Sequence, residues 1–162
     1  GKFDEYFFSH MEEIDLCWRL QAMGFQIWVE PDAVVYHKNA FSMPMHSHKK
    51  YYLNHRNSLL MLFGNYSLKN TLVLGSGRIL FELIAFGYSI LNLNWKHSSA
   101  IIRSLLYLLF HVNVILRKRD KFKKIRRQKD KDIMKNMLRN SIVINYYLKR
   151  VQVYSEIDSI DS

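Results

Sequence analysis

The sequence predicts a mixed α+β fold that is mostly helical, on three observations. Two prolines and six glycines in 162 residues suit long helices better than a loop-rich β-sandwich. Two extended apolar segments, Leu72–Leu93 and Ser98–Leu116, have helical length. Two short runs, Phe25–Val29 and Ala33–Tyr36, are rich in β-branched and aromatic residues and flank Pro31-Asp32, the pattern of two strands about a turn. Hydrophobic residues at 49% against charged residues at 23% exclude a disordered chain. The one cysteine, Cys17, excludes an intramolecular disulfide framework and a multi-cysteine zinc site.

Taken in order, Ser9-His-Met-Glu12 has the spacing of a capping box and predicts a helix over His10–Met23, with Gly24 as its stop. Ile14, Cys17, Trp18 and Phe25 give that helix its apolar side. The two strands follow, with Trp28 and Tyr36 as strand core, and then a polar loop, Lys38–His48. A helix over Lys49–Phe63 ends at Gly64-Asn65. The two apolar helices come next, then a basic stretch predicted helical to Asn140, and a tail of mixed periodicity. Three domains are expected: 1–70, an apolar hairpin over 71–116, and a basic helical tail over 117–162. The chain opens on Gly1 inside what reads as a packed motif, the start expected of a fragment.

Charge divides the chain. The net charge is +10, yet residues 1–40 hold seven acids and three Lys or Arg, while Arg117–Lys131 packs ten basic residues and two acids into fifteen positions. Such a field attracts phosphates of nucleic acid or of anionic lipid. Apolar helices followed by a basic cluster point to an anionic membrane surface, so nucleic acid is not an expected partner.

The first 25 residues run Gly-Lys-Phe-Asp-Glu-Tyr-Phe-Phe-Ser-His-Met-Glu-Glu-Ile-Asp-Leu-Cys-Trp-Arg-Leu-Gln-Ala-Met-Gly-Phe. This stretch resembles family 2 glycosyltransferases of the GT-A fold, as do Pro31-Asp-Ala-Val-Val-Tyr-His37 and Tyr52-Leu-Asn-His-Arg-Asn57, in the same order. The likeness covers about residues 1–65. It implies the C-terminal half of a GT-A-like catalytic domain followed by a helical, membrane-associated tail, with the nucleotide-binding half and its Asp-x-Asp motif upstream of residue 1. The function implied is inverting transfer of a hexosyl or deoxyhexosyl group from a nucleotide-sugar donor to a polysaccharide or lipid-linked glycan acceptor. The place implied is the cytoplasmic face of a bacterial inner membrane, and a chain of this extent alone is expected to be inactive. One alternative is a non-catalytic membrane-associated remnant or module, and a more distant one a basic nucleic-acid-binding helical protein.

The resemblance also assigns roles. Glu13 takes the position of the general base, one methylene longer than the Asp usual there, and Asp15 is the second catalytic candidate. Read on local chemistry alone, Glu12 is explained by the capping box and Asp15 by Arg19 at i+4, leaving Glu13 unexplained. Glu12 and Arg56 are the substrate-binding candidates. Arg56 suits a donor diphosphate and equally a carboxylate of the first helix. His37 is the expected ligand for a divalent metal, Mn or Mg, whose other ligands belong to the upstream half. His46, His48 and His55 are spaced too irregularly for a metal cluster. Ile79–Leu93, fifteen residues with one charge, is about 22 Å long as a helix, short of a ~30 Å hydrocarbon core. An interfacial hairpin therefore fits better than two spans.

Overall fold

The computed structural model describes residues 2–36, 44–135, 137, 142–147 and 150. It is all-α: 69% helix, with no strand or sheet among the described residues. Among the described residues seven helices follow one another: α1 (Glu12–Ala22), α2 (His48–Asn65), α3 (Leu68–Leu91), α4 (Trp95–Phe110), α5 (Val112–Ile125), α6 (Asp130–Met134) and α7 (Ile142–Tyr147). Residues Gly1–Asp130 form one compact unit, and the expected divisions at 70 and 116 fall inside α3 and α5. The second unit, Lys131–Ser162, holds the rest of α6 and α7.

The expected strands are not formed, which corrects the α+β prediction. Residues 25–36 make only a turn at Pro31-Asp32, with the Ala33 and Val34 amides bonded to Glu30 and Asp32. A strand is stabilised by a neighbour that takes its backbone groups and covers a face. Neither is present, and Trp28, Val29, Val35 and Tyr36 are each more than 80% exposed. Composition alone therefore marks a segment able to pair, not one that is paired.

Several helix ends depart from the sequence reading. The capping box of Ser9 and Glu12 does not form. Met11 is the N-cap, in a left-handed conformation with φ 68° and no side-chain cap, so α1 starts at Glu12. Its C-terminus is closed from afar: the Arg127 and Gln128 amides donate to Ala22 O at 2.7 and 2.9 Å. Ser47, Ser67 and Asn94 do cap α2, α3 and α4, accepting from Lys50, Asn70 and His97 amides. Gly64 does not stop α2. A Cβ there would lie 2.6 Å from Lys118 Cδ, so this glycine is a notch through which the lysine stem passes. The predicted helix over Ser98–Leu116 is broken at His111, where α4 and α5 diverge by 67°. Asn113 Oδ1 accepts from the next amide at 2.9 Å, a local alternative to the helical ladder. The basic stretch, predicted helical to Asn140, is interrupted at Arg126, whose backbone is extended, and turns helical again as α6 from Asp130.

The core lies where α2 meets α4, with Leu53, Leu59, Leu60, Ala100 and Ile101 buried. On α1 the buried side is Asp15, Trp18 and Ala22; Ile14 and Phe25 are exposed, against the sequence expectation. Trp18 stacks on Tyr66 with ring centroids 4.2 Å apart.

The third helix has its polarity reversed. Its buried positions are Thr71, Gly75, Glu82 and Ser89, whereas Leu72, Val73, Leu80, Leu83, Ile84, Tyr88 and Leu91 are more than half exposed. In water-soluble folding the apolar stripe faces the core. On α4, Trp95, Leu109 and Phe110 are outward and Ser98 and Ser104 inward, although Ala100 and Ile101 also face in.

Candidate functional site

Three acids lie in the first turn of α1, and their surroundings separate them. Asp15 is fully buried. Its Oδ2 accepts from Arg19 Nε at 2.7 Å, and its Oδ1 from Lys118 Nζ and Asn65 Nδ2, each at 2.7 Å. This carboxylate ties α1 to α2 and α5. Lys118 is 7% exposed at its side chain and also holds Asp4 Oδ2 at 2.7 Å. Burial pushes the Asp4 carboxyl up, but the Lys118 hydrogen bond and charge outweigh it, so Asp4 sits below the ordinary carboxylate range. Glu12 is half-buried, with Oε2 enclosed and without a partner among the described residues. Glu13 is exposed and makes no ion pair or hydrogen bond there.

The segment leading into α1 is strained. Phe8, His10 and Met11 have φ of 57°, 68° and 68°, a region that costs non-glycine residues free energy. Asn57, fully buried on α2, holds it in place. Its Nδ2 lies 2.8, 2.7 and 2.8 Å from the carbonyl oxygens of Phe7, Ser9 and His10. Arg56 fixes the amide from the other side: Nε and Nη2 donate to Asn57 Oδ1 at 2.9 and 2.7 Å, and Nη2 also to Tyr6 O at 2.7 Å. The Arg-Asn pair quoted in the resemblance is here a clamp on the approach to the acidic helix. Arg56 pairs with no carboxylate of α1; its partners are carbonyls and an amide. Asn57 was not singled out from sequence, because one amide beside an arginine has no spacing signal of its own.

A second polar cluster joins α2, α3 and α4 beneath the reversed face. Glu82 is 1% exposed, with Oε1 2.5 Å from Arg78 Nη2 and Oε2 2.7 Å from His55 Nδ1, the latter a close ion-pair contact without hydrogen-bond alignment. His55 Nε2 lies 2.9 Å from His97 Nε2, and His97 Nδ1 lies 2.6 Å from Ser89 Oγ. Arg78 and Glu82 pair at i, i+4, a spacing the sequence displays; the two histidines are 42 residues apart, beyond any local spacing signal. Burial pushes Glu82 up, but the His55 contact and the Arg78 charge hold it below its usual range. His97 is held low by burial and by His55, with Glu82 opposing.

This cluster predicts acid sensitivity. Two facing Nε2 atoms need one hydrogen and one lone pair, so a doubly protonated pair cannot keep the contact. Neutral His97 is favoured in the folded chain, so its stabilisation is complete above its ordinary value of 6.5 and is lost as pH falls below it. Glu82 adds a further loss as pH falls below 4.5, its ordinary value. Thermal unfolding followed from pH 8 to 5 should show a falling midpoint below about 6.5, and His97→Gln should remove most of that slope. An unchanged slope would place the sensitivity elsewhere.

His37 lies outside the described residues. No group of three or more His, Cys, Asp or Glu that could hold a metal ion occurs among the described residues. His46 bonds Tyr51 through Nδ1 at 2.8 Å, while His55 belongs to the buried cluster.

The basic run divides in two. Lys118, Arg119 and Arg126 are built into the fold: Arg119 donates to Phe63 O and Thr71 Oγ1, and Arg126 to Asn65 O and Asp130. Asp130 also accepts from the Ser67 amide and Asn70. Burial raises its carboxyl, but these bonds, Arg126 first, hold it low. Burial and Asp130 push the Tyr66 hydroxyl up to about 12. Arg117, Lys121, Lys123, Arg127 and Lys129 are exposed and make no side-chain ion pair or hydrogen bond among the described residues.

No protein-family profile, curated protein or solved structure matches this chain.

Proposed function

We propose that this chain is the acceptor-side portion of an inverting glycosyltransferase, seated on an anionic membrane surface, with Glu13 as general base. The observation that carries the reading is the contrast within one helical turn. Asp15 is buried and consumed by three partners, while Glu13 is free in solvent beside a backbone clamped in a strained form. Strain held in place by surrounding groups is a mark of functional sites. The Glu13 carboxylate takes the proton of an acceptor hydroxyl as that oxygen attacks the anomeric carbon. The bond from that carbon to the donor diphosphate breaks, and the nucleoside diphosphate leaves with the electron pair. Asp15 is a positioning residue in this scheme. Substitution of Glu13 by Gln, measured as sugar transfer by the chain joined to a nucleotide-sugar-binding half, tests it.

The reversed polarity of α3 supports the membrane seat. By length and composition α3 is able to cross a membrane, at about 36 Å. Length therefore does not decide between a span and a surface helix. Charge favours the surface: Arg103 is exposed in the middle of α4 beside its apolar residues, where a span would hold it in hydrocarbon. The same face would serve a non-catalytic membrane module, which loss of Glu13 would leave unaffected.

The divided basic run sharpens the expected result. Neutralising Lys123, Arg127 and Lys129 should weaken attachment to anionic vesicles, by roughly 1 kcal/mol per charge at low salt, and leave attachment to neutral vesicles almost unchanged. The melting temperature should not move. Vesicle flotation with a parallel melt reads both, and equal losses on the two vesicle types would contradict the electrostatic part.

A further inference from the structure

An open cleft of about 510 Å³ lies between the N-terminal segment and α5. Four cations line it: Arg19, Arg117, Lys118 and Lys121. Two are spent internally, Arg19 on Asp15 and Lys118 on Asp4 and Asp15. Arg117 and Lys121 are not, and they stand one turn apart on α5, where like charges destabilise a helix. Phe122 and Asn65 form buried parts of the lining. Glu5 is the one lining carboxylate without a cation partner there, so the walls keep a positive excess.

We infer that this cleft is a discrete phosphoryl-binding site, with Arg117 and Lys121 as its two cationic ligands. Residues at i and i+4 have Cβ atoms about 6 Å apart, a separation two oxygens of a phosphate or diphosphate can bridge. The guanidinium supplies a planar pair of donors and the ammonium a point charge, a combination suited to phosphate. An anion there would also relieve the like-charge repulsion. The site differs from the diffuse attraction expected of Lys123, Arg127 and Lys129, because it is enclosed on one side by Asn65, Phe122 and the Lys118 ion pairs. It does not depend on the transferase reading.

Calorimetric titration of the whole chain with inorganic pyrophosphate tests this. Saturable binding of one equivalent is expected. Arg117→Gln with Lys121→Gln should weaken it at least about tenfold, the scale of losing charge-assisted hydrogen bonds. Lys123→Gln with Arg127→Gln removes the same charge outside the cleft and should weaken it less than about twofold. All four residues are exposed, and unchanged melting curves would show that each variant folds. Equal weakening by the two pairs, or binding that does not saturate, would overturn the site. A second arm finds the source of the phosphate. Wild-type chain is floated with phosphatidylcholine vesicles containing roughly 20% phosphatidylglycerol, with and without pyrophosphate. Displacement that the cleft variant does not show identifies a lipid headgroup. Undiminished attachment with the cleft saturated identifies a free phosphoryl compound. Both results retain the site.

Discussion

Glu13→Gln should lower sugar transfer by about 10²–10⁴-fold while donor binding stays near wild type. The amide keeps the shape of the side chain but cannot take a proton, and the position is exposed, so the fold should not respond. Single-turnover transfer and donor titration on the same preparation separate the two effects. A matched loss of donor affinity would move Glu13 from base to binding. Wild-type turnover would remove it from the chemistry. Asp15 would not then be the natural substitute, because it is buried and both its oxygens are engaged by Arg19, Lys118 and Asn65, away from any acceptor.

Asp15→Ala should unfold the first unit more readily than any change at Glu13. Removing one member of a buried ionic group leaves the others uncompensated, at about 3–5 kcal/mol. Lys118 would keep only Asp4, and Asn65 Nδ2 would lose its partner. Denaturant unfolding should show the midpoint falling with little change in slope. Asp15→Asn should cost less, because the amide oxygen still accepts from one donor. A destabilisation under about 1 kcal/mol for the alanine variant would mean that the cluster is solvated and does not join α1 to α5.

Much of the helical frame was legible. Helical length and period marked α2, α3 and α4, and the i, i+4 spacing marked the Asp15–Arg19 and Arg78–Glu82 pairs. Most of the failures share a cause, a partner distant in sequence; the break at His111 is the local exception, beside Asn113. Phe25–Val29 and Ala33–Tyr36 have strand composition, but a strand exists only with a neighbour. Ser9 has the spacing of a cap, but the carbonyls of Ser9 and His10 bond the amide of Asn57, 48 and 47 residues on, and the backbone turns left-handed instead. Gly64 reads as a stop until Lys118 is seen crossing it. Lys118, Arg119 and Arg126 read as part of a solvated run, yet they hold α5 against the acids and carbonyls of the fold. For the site, the acidic turn was legible from the resemblance. The distinction between a free Glu13 and a spent Asp15 was not, because it is set by Asn65 and Lys118.

The outward face of α3 can be tested by its depth in a bilayer. Spin labels placed singly at Val73, Leu80, Ile84 and Leu91, which share one face of α3, with Cys17 replaced by Ser, report access to oxygen and to a water-soluble nickel complex on anionic vesicles. A helix lying in the interface gives the same shallow depth at all four positions, with a label at Glu13 remaining in water. Depth that rises to a maximum near the middle of α3 and falls again would show a span. Free access to the nickel complex along its whole length would show that no membrane covers this face, and would contradict the membrane-seated reading of the chain.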